Sequence, residues 1–228
     1  MKLKSRIRLE AINLDSRLNA ILEFVPKGSR VADIGTDHGY LAIELIKKNI
    51  ASFVIASDKN AGPLAAAQKN IKDASIESSI SLRLGDGLKI LDVGEVDVIC
   101  IAGMGGALMC DILDDSPEIV STVNKIILQP MNAAEKIRQW AEKNNFCIED
   151  EDLAEVDEII YEIICLSKTP NESTATKKGK SPLMSKYISG KIQKLQKVYD
   201  SMSKSETAKM TDKYFEIENQ LRELRAKL

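Results

Sequence analysis

Apolar residues recur along this chain in short runs separated by amphipathic stretches, and that rhythm sets the fold before any chemistry is considered. Strand-like runs occupy residues 30–34, 53–57, 80–84, 96–102 and 125–128, and helix-like patterns fill most of the gaps, at 38–48, 61–73, 107–113 and 133–144. Between Leu84 and Val96 there is room only for a turn and a short helix. Short apolar strands alternating with helices predict a parallel sheet covered on both faces. An amphipathic helix is expected over residues 3–24, where Ile7, Leu9, Ile12, Leu14, Leu18, Ile21 and Leu22 recur at helical spacing before Pro26-Lys27-Gly28 ends it.

Two further strands, 147–156 and 158–166, follow with only Val156-Asp157-Glu158 as punctuation. So short a link cannot hold a helical crossover, so the two must pair antiparallel. Seven strands with an antiparallel final pair fit the α/β, Rossmann-like sheet of class I methyltransferases. A plain nicotinamide-binding domain would add another parallel strand instead. Residues 169–180 are polar and unpatterned and read as a linker. Met184, Ile188, Ile192, Leu195, Tyr199 and Met202 are then spaced by fours and threes, as are Met210, Tyr214, Ile217, Leu221, Leu224 and Leu228. With a turn over 201–206, this predicts two antiparallel helices zipped as a short coiled coil. The expected domains are 1–168 and 181–228.

Charge sharpens this division. The formal net charge is −2, yet residues 168–228 carry 14 Lys/Arg against 7 Asp/Glu, leaving 18 basic and 27 acidic residues in the rest. A basic tail on an acidic body is a footprint of nucleic-acid contact, or of lysines that solvate an exposed helix pair. Cys100, Cys110, Cys147 and Cys165 form no C-x-x-C pair, and His38 is the single histidine, so no zinc spacing exists and no metal is expected. The cysteines read as small hydrophobes in a reducing compartment. With neither a signal peptide nor a membrane span in the pattern, the chain is expected to be cytoplasmic. An internal helix pair accounts for the heptads without a second copy, so a monomer is expected.

The strongest local signal is Val31-Ala32-Asp33-Ile34-Gly35-Thr36-Asp37-His38-Gly39-Tyr40-Leu41, a strand entering a tight turn before a helix. Gly35 and Gly39 allow close backbone approach, and the helix start offers free N–H groups. A pyrophosphate site would show G-x-G-x-x-G. Here Asp33 and Asp37 stand among the glycines and Thr36, which suits a ligand bearing cationic groups, and S-adenosyl-L-methionine carries a sulfonium and an ammonium. Asp58, followed by Lys59 at the end of the second strand, is placed to accept hydrogen bonds from an adenosine ribose. In Gly85-Asp86-Gly87, Asp86 can take an adenine amino group or simply form an Asp-Gly turn. Ala102-Gly103-Met104-Gly105-Gly106 follows the fourth strand and leaves room for a flat acceptor beside the sulfonium. Gln129 borders the same edge, and Asn132 reads best as the N-cap of the next helix. His38 sits at the expected ligand edge and is taken as functional, while Asp37 is either a functional acid or a cap. Asp15 and Arg17 precede the first strand and either form an exposed salt bridge or fold over the pocket.

Together these strings resemble the bacterial tRNA adenine-22 N1-methyltransferase (TrmK) family. The resemblance is carried by Leu14-Asp15-Ser16-Arg17-Leu18, the run from Ala32 to Leu41, Ala102-Gly103-Met104-Gly105-Gly106, Leu128-Gln129-Pro130 and Tyr161-Glu162-Ile163-Ile164, in order. Ala42 stands where the family often has Pro, and Met131 then Asn132 where it often has Asn directly after Gln-Pro. The resemblance implies S-adenosyl-L-methionine as cofactor, tRNA as partner and a ring nitrogen of adenine as acceptor. It also implies that Asp37, His38, Arg17 and Gln129 serve the reaction. Lys2, Lys4, Arg6 and Arg8 join the tail as phosphate contacts in that reading. The alternatives are a methyltransferase for a small molecule or protein, a non-catalytic RNA-binding module, and a nicotinamide oxidoreductase.

Overall fold

The computed structural model describes residues 14–169 and 176–228, and the chain forms two compact units, one running to Lys177 and the other spanning Lys178–Leu228. The first is built from α1 (Ser16–Phe24), β1 (Ser29–Ile34), α2 (Tyr40–Lys47), β2 (Ala51–Asp58), α3 (Ala61–Asp73), β3 (Ile80–Leu84), β4 (Val98–Gly105), α4 (Gly106–Asp114), α5 (Pro117–Val120), β5 (Lys125–Asn132), α6 (Ala134–Lys143), β6 (Cys147–Val156) and β7 (Ile159–Ser167). A single 3₁₀ turn, Gly87–Ile90, lies between β3 and β4.

The seven strands form one sheet in the order β3-β2-β1-β4-β5-β7-β6. β1 to β5 pair in parallel, and β7 runs antiparallel to both β5 and β6. This is the Rossmann-like methyltransferase sheet expected from the pattern. Strand order reverses between β1 and β4, so the crevice beyond their carboxyl ends is where such a sheet receives ligands.

Period-two alternation sorts the strand residues onto two faces. Val31, Val54, Cys100, Ile127 and Cys165 pack on one side with residues of α1, α2 and α3. Their neighbours Ala32, Ile55, Ile101, Leu128 and Leu166 pack on the other with residues of α4, α5 and α6. Burial pushes the Cys100 and Cys165 thiols up, Cys165 to about 12, so both behave as inert core groups.

Several boundaries differ from the sequence reading. The expected helix over 3–24 does not pass through Asp15, whose backbone is extended and whose carboxylate accepts the Leu18 N–H as an N-cap. Residues 3–13 lie outside the described residues, as do Lys2, Lys4, Arg6 and Arg8. β5 continues four residues past Leu128 with a register shift at Met131, so Asn132 belongs to the strand and is not an N-cap. Ala133, at φ 51°, takes the cap position of α6 instead. Part of the expected linker, Lys177–Lys180, forms a helical turn, α7, where Lys177 lies over the Phe24 ring. Residues 170–175 are outside the described residues.

In the second unit α8 (Met184–Met202) and α10 (Asp212–Arg225) flank a short α9 (Glu206–Lys209). Ser203 meets Tyr214, Tyr199 meets Glu218 and Gln196 meets Arg225, so α8 and α10 run antiparallel. Ile188, Ile217 and Leu221 are buried. The second heptad run is shorter than expected at both ends. Met210 and Leu228 are exposed because Ser205 caps the separate turn α9 and because α10 ends at Arg225.

Candidate functional site

A cavity of about 460 Å³ opens at the reversal between β1 and β4, within the size range of small-molecule sites. Its first wall is the turn from β1 to α2. Gly35 and Thr36 both donate their N–H to the Ser57 carbonyl at 2.8 Å, which folds the turn against β2. Gly35, Asp37 and Gly39 all have positive φ, at 76°, 52° and 74°. At Gly35 a β-carbon would also stand 2.3 Å from the Met104 methyl, so this glycine lets the β1 turn and the β4 loop approach each other.

Asp33 closes the floor. It is buried, lines the cavity and accepts the Thr36 hydroxyl at 2.6 Å. Loss of hydration raises its pKa to about 6, with Asp58 adding to the rise while the Thr36 hydroxyl and the Ala42 N–H oppose it. Asp58 ends β2, and its Oδ1 accepts the Asn60 N–H at 2.8 Å. Asp86 follows β3. The first three strands thus deliver three carboxylates to one cavity wall, with Lys59, Gly85 and Gly87 beside them.

The opposite wall is nearly uncharged. Ala102, Gly103, Met104, Leu108 and Ile112 line it, and nothing stands within 4 Å of where a Gly103 β-carbon would be. Arg17 reaches this side from the first turn of α1. Its Nε and Nη2 donate to Asp15 Oδ2 at 3.1 and 2.6 Å, its Nη1 donates to Gln129 Oε1 at 2.8 Å, and its guanidinium lies 5.2 Å from the Tyr161 ring centre. Gln129 Oε1 also accepts the Gly103 N–H at 3.2 Å. The salt bridge and the fold-over expected for Arg17 therefore occur together.

Asp37 and His38 stand at the mouth, side chains 67% and 48% exposed, with Asp37 Oδ1 3.7 Å from His38 Nε2. Of the residues singled out in the sequence, Asp33, Gly35, Thr36, Asp37, His38, Asp58, Lys59, Gly85, Asp86, Gly87, Ala102, Gly103, Met104 and Arg17 meet in this cavity. Gln129 does not line it: the side chain is fully buried, and its amide group is used by Arg17, Gly103 and the Pro130 carbonyl. Gly39 and Gly105 also stay out of the lining. Gly39 starts α2 against Ala67, and Gly105 packs under Asn132.

Sequence reasoning missed Leu18, Ser57, Tyr40, Leu108 and Ile112, all of which line the cavity. The signal available for Leu108 and Tyr40 was their place beside the glycine runs; that both are exposed is seen only in the structure. Ser57 Oγ is buried without a hydrogen-bond partner at the end of β2. Among the described residues no group of three His, Cys, Asp or Glu could hold a metal ion, and no helix is long and apolar enough to cross a membrane.

The donor set fits S-adenosyl-L-methionine. Buried Asp33 suits its ammonium, Asp58 suits ribose hydroxyls, Asp86 suits an adenine amino group, and the space over Gly103 leaves a sulfonium methyl accessible. A family model described as a methyltransferase domain matches residues 14–164. A Bacillus subtilis tRNA (adenine(22)-N(1))-methyltransferase is 37% identical over 156 residues, covering 68% of this chain and 66% of the relative. The crystal structure of the B. subtilis m1A22 tRNA methyltransferase TrmK superposes with a TM-score of 0.82 at 31% identity, covering 94% of this chain and 98% of that one. M. capricolum TrmK, solved with the cofactor product S-adenosyl-homocysteine, superposes with a TM-score of 0.77 at 26% identity over 93% and 96% of the two chains.

Proposed function

This chain belongs to the tRNA (adenine(22)-N1)-methyltransferase family, and on that premise we propose that it methylates N1 of an adenine in tRNA, position 22, using S-adenosyl-L-methionine. The observation that carries the reading is the meeting of three strand-end carboxylates with an open glycine wall in one cavity. The cofactor supplies an activated methyl group on a positively charged sulfur. The adenine N1 lone pair forms the new N–C bond, the C–S bonding pair returns to sulfur, and the positive charge passes from sulfur to the purine ring. No proton has to be removed to create the nucleophile, so the protein's work is alignment and electrostatics.

The chain's own residues divide that work. Asp33 holds the cationic end of the cofactor with Thr36 fixing its carboxylate, and Asp58 and Asp86 grip the adenosine. Lys59, Gly35, Gly85, Gly87 and the Ala102–Met104 segment surround it, with Gly39 and Gly105 behind that lining. Asp37 faces the charge that develops on the acceptor ring, and His38 touches that ring. Arg17, steadied by Asp15 and by buried Gln129, borders the acceptor space. Residues 1–168 carry out the transfer and residues 181–228 contact tRNA through their excess of basic over acidic residues, 10 Lys/Arg against 6 Asp/Glu. Adenine N1 within a paired stem has to be exposed before transfer. Methyl transfer from a sulfonium needs no metal, and Ile188, Ile217 and Leu221 are buried within one chain, which supports a metal-free monomer. The proposed compartment is the cytoplasm, where tRNA is modified.

The test is transfer of labelled methyl from S-adenosyl-L-methionine to tRNA lacking the modification, followed by nucleoside analysis. Labelled 1-methyladenosine is expected. Bound cofactor with no labelled tRNA would overturn the assignment.

A further inference from the structure

Among the described residues three aromatic pairs stack or tilt together, and two of them are consumed by packing. Trp140 and Phe146 are buried in the core against the sheet. Tyr199 and Tyr214 join α8 to α10, with Ser203 and Glu218 on their hydroxyls. The third pair, His38 and Tyr40, has ring centres 5.4 Å apart and planes 18° from parallel. Tyr40 is 39% exposed, and both rings line the cavity mouth.

The pair is held on a rigid mount. Gly39, at φ 74°, turns the backbone between the two residues. Gly39 N–H donates to the Thr36 carbonyl at 2.9 Å, and Asn70 Nδ2 donates to the His38 carbonyl at 2.9 Å, tying the turn to α3. Neither ring makes another ring contact among the described residues. Flat faces left open, fixed in orientation and next to a cavity are what a planar purine stacks on.

We propose that Tyr40, stacked with His38, is a positioning platform on which the exposed acceptor adenine lies with N1 directed into the cavity. This deepens the reading above and rests on it. The platform suits the product as well as the substrate, since methylation at N1 leaves a cationic ring and a tyrosine face attracts a cation. Asp37, between β1 and the platform, adds a carboxylate beside that charge. The open region over Gly103 then receives the base edge, while the stack holds its face.

The experiment uses the full chain and a tRNA carrying 2-aminopurine at the acceptor position, whose fluorescence falls when it stacks. Wild-type protein is expected to bind it with the emission still quenched. Tyr40→Leu should release the quench and raise the KM for unmodified tRNA on the order of tenfold to a hundredfold. Tyr40→Phe should restore both, because the ring and not the hydroxyl does the stacking. Calorimetric binding of S-adenosyl-L-methionine confirms that each variant is folded. If Tyr40→Leu does not fold, His38→Leu, in an exposed turn, carries the same test. Equal quenching and equal KM in wild type and the leucine variants overturn the platform and leave the methylation reading intact. A wild-type protein that places no methyl on tRNA overturns both.

Discussion

The two walls of the cavity come from the same sheet but differ in chemistry. β1, β2 and β3 each bring a carboxylate at or just past their carboxyl ends, Asp33, Asp58 and Asp86, whereas β4 and the start of α4 offer Gly103, Met104 and Leu108, with Arg17 at the edge already paired to Asp15. A wall of acids grips a small, charged, hydrogen-bonding ligand and fixes its position. An uncharged wall with an empty glycine surface leaves room for a second, flat molecule. The difference teaches that cofactor affinity and acceptor handling are separable by mutation, except where the two walls touch.

They touch at Gly35 and Met104, and the largest effect is expected there. Gly35→Val adds a side chain at φ 76° into the Met104 methyl. Cofactor affinity should fall at least about a hundredfold and stability by roughly 1–2 kcal/mol from the left-handed backbone alone. Unchanged calorimetric affinity would remove the contact between walls as a requirement. Asp58→Asn should act on one wall only. Losing a charge-assisted acceptor should weaken cofactor binding by about tenfold to a hundredfold, with the KM for tRNA unaltered at saturating cofactor.

Gln129→Leu tests the other wall. It leaves Arg17 Nη1 and the Gly103 N–H without their acceptor, so stability should drop by about 1–3 kcal/mol and kcat several-fold. Cofactor affinity should stay within about twofold, and an equal loss of both would erase the separation of the walls.

The last effect is a pH dependence. Asp33 has a folded pKa of about 6 against an unfolded 3.8, so the folded state holds its proton more tightly. Stability of the ligand-free protein therefore falls as pH rises from about 4 to about 6, and is level in this respect above that. Affinity for the cationic cofactor runs the opposite way. It should rise about tenfold from pH 5 to pH 7 as the carboxylate ionises. Asp33→Asn should flatten both trends, and a persistent slope would assign them to another group.

The sheet was legible because its signal is local. Val31-Ala32, Val54-Ile55 and Ile99-Cys100 alternate within a few residues, and most of the gaps between runs carry a helical pattern. The acidic glycine turn was legible for the same reason. What the sequence hid depends on distant segments meeting. Gln129 reads as a polar residue at a strand end, and only the arrival of Arg17 from α1 and Gly103 from β4 explains its burial. Asn132 reads as a helix cap, but the register shift at Met131 keeps it in the strand and hands the cap to Ala133. Tyr40 reads as the first apolar residue of an amphipathic helix. Its exposure follows from where the cavity opens, which no local pattern encodes.

The position of β7 bears on how the protein is made. β5 borders the acceptor wall, and its sheet neighbour on that side is the last strand of the unit, paired from Lys125↔Ser167 to Leu128↔Ile164. As the chain leaves the ribosome, β1 to β5 can assemble first. Until Ser167 has emerged, β5 remains an open edge bearing Ile126, Ile127 and Leu128, the kind of strand that recruits other chains. Stalled or truncated products ending before β7 should therefore aggregate through that edge, which makes the late closing of the sheet a quality checkpoint in synthesis.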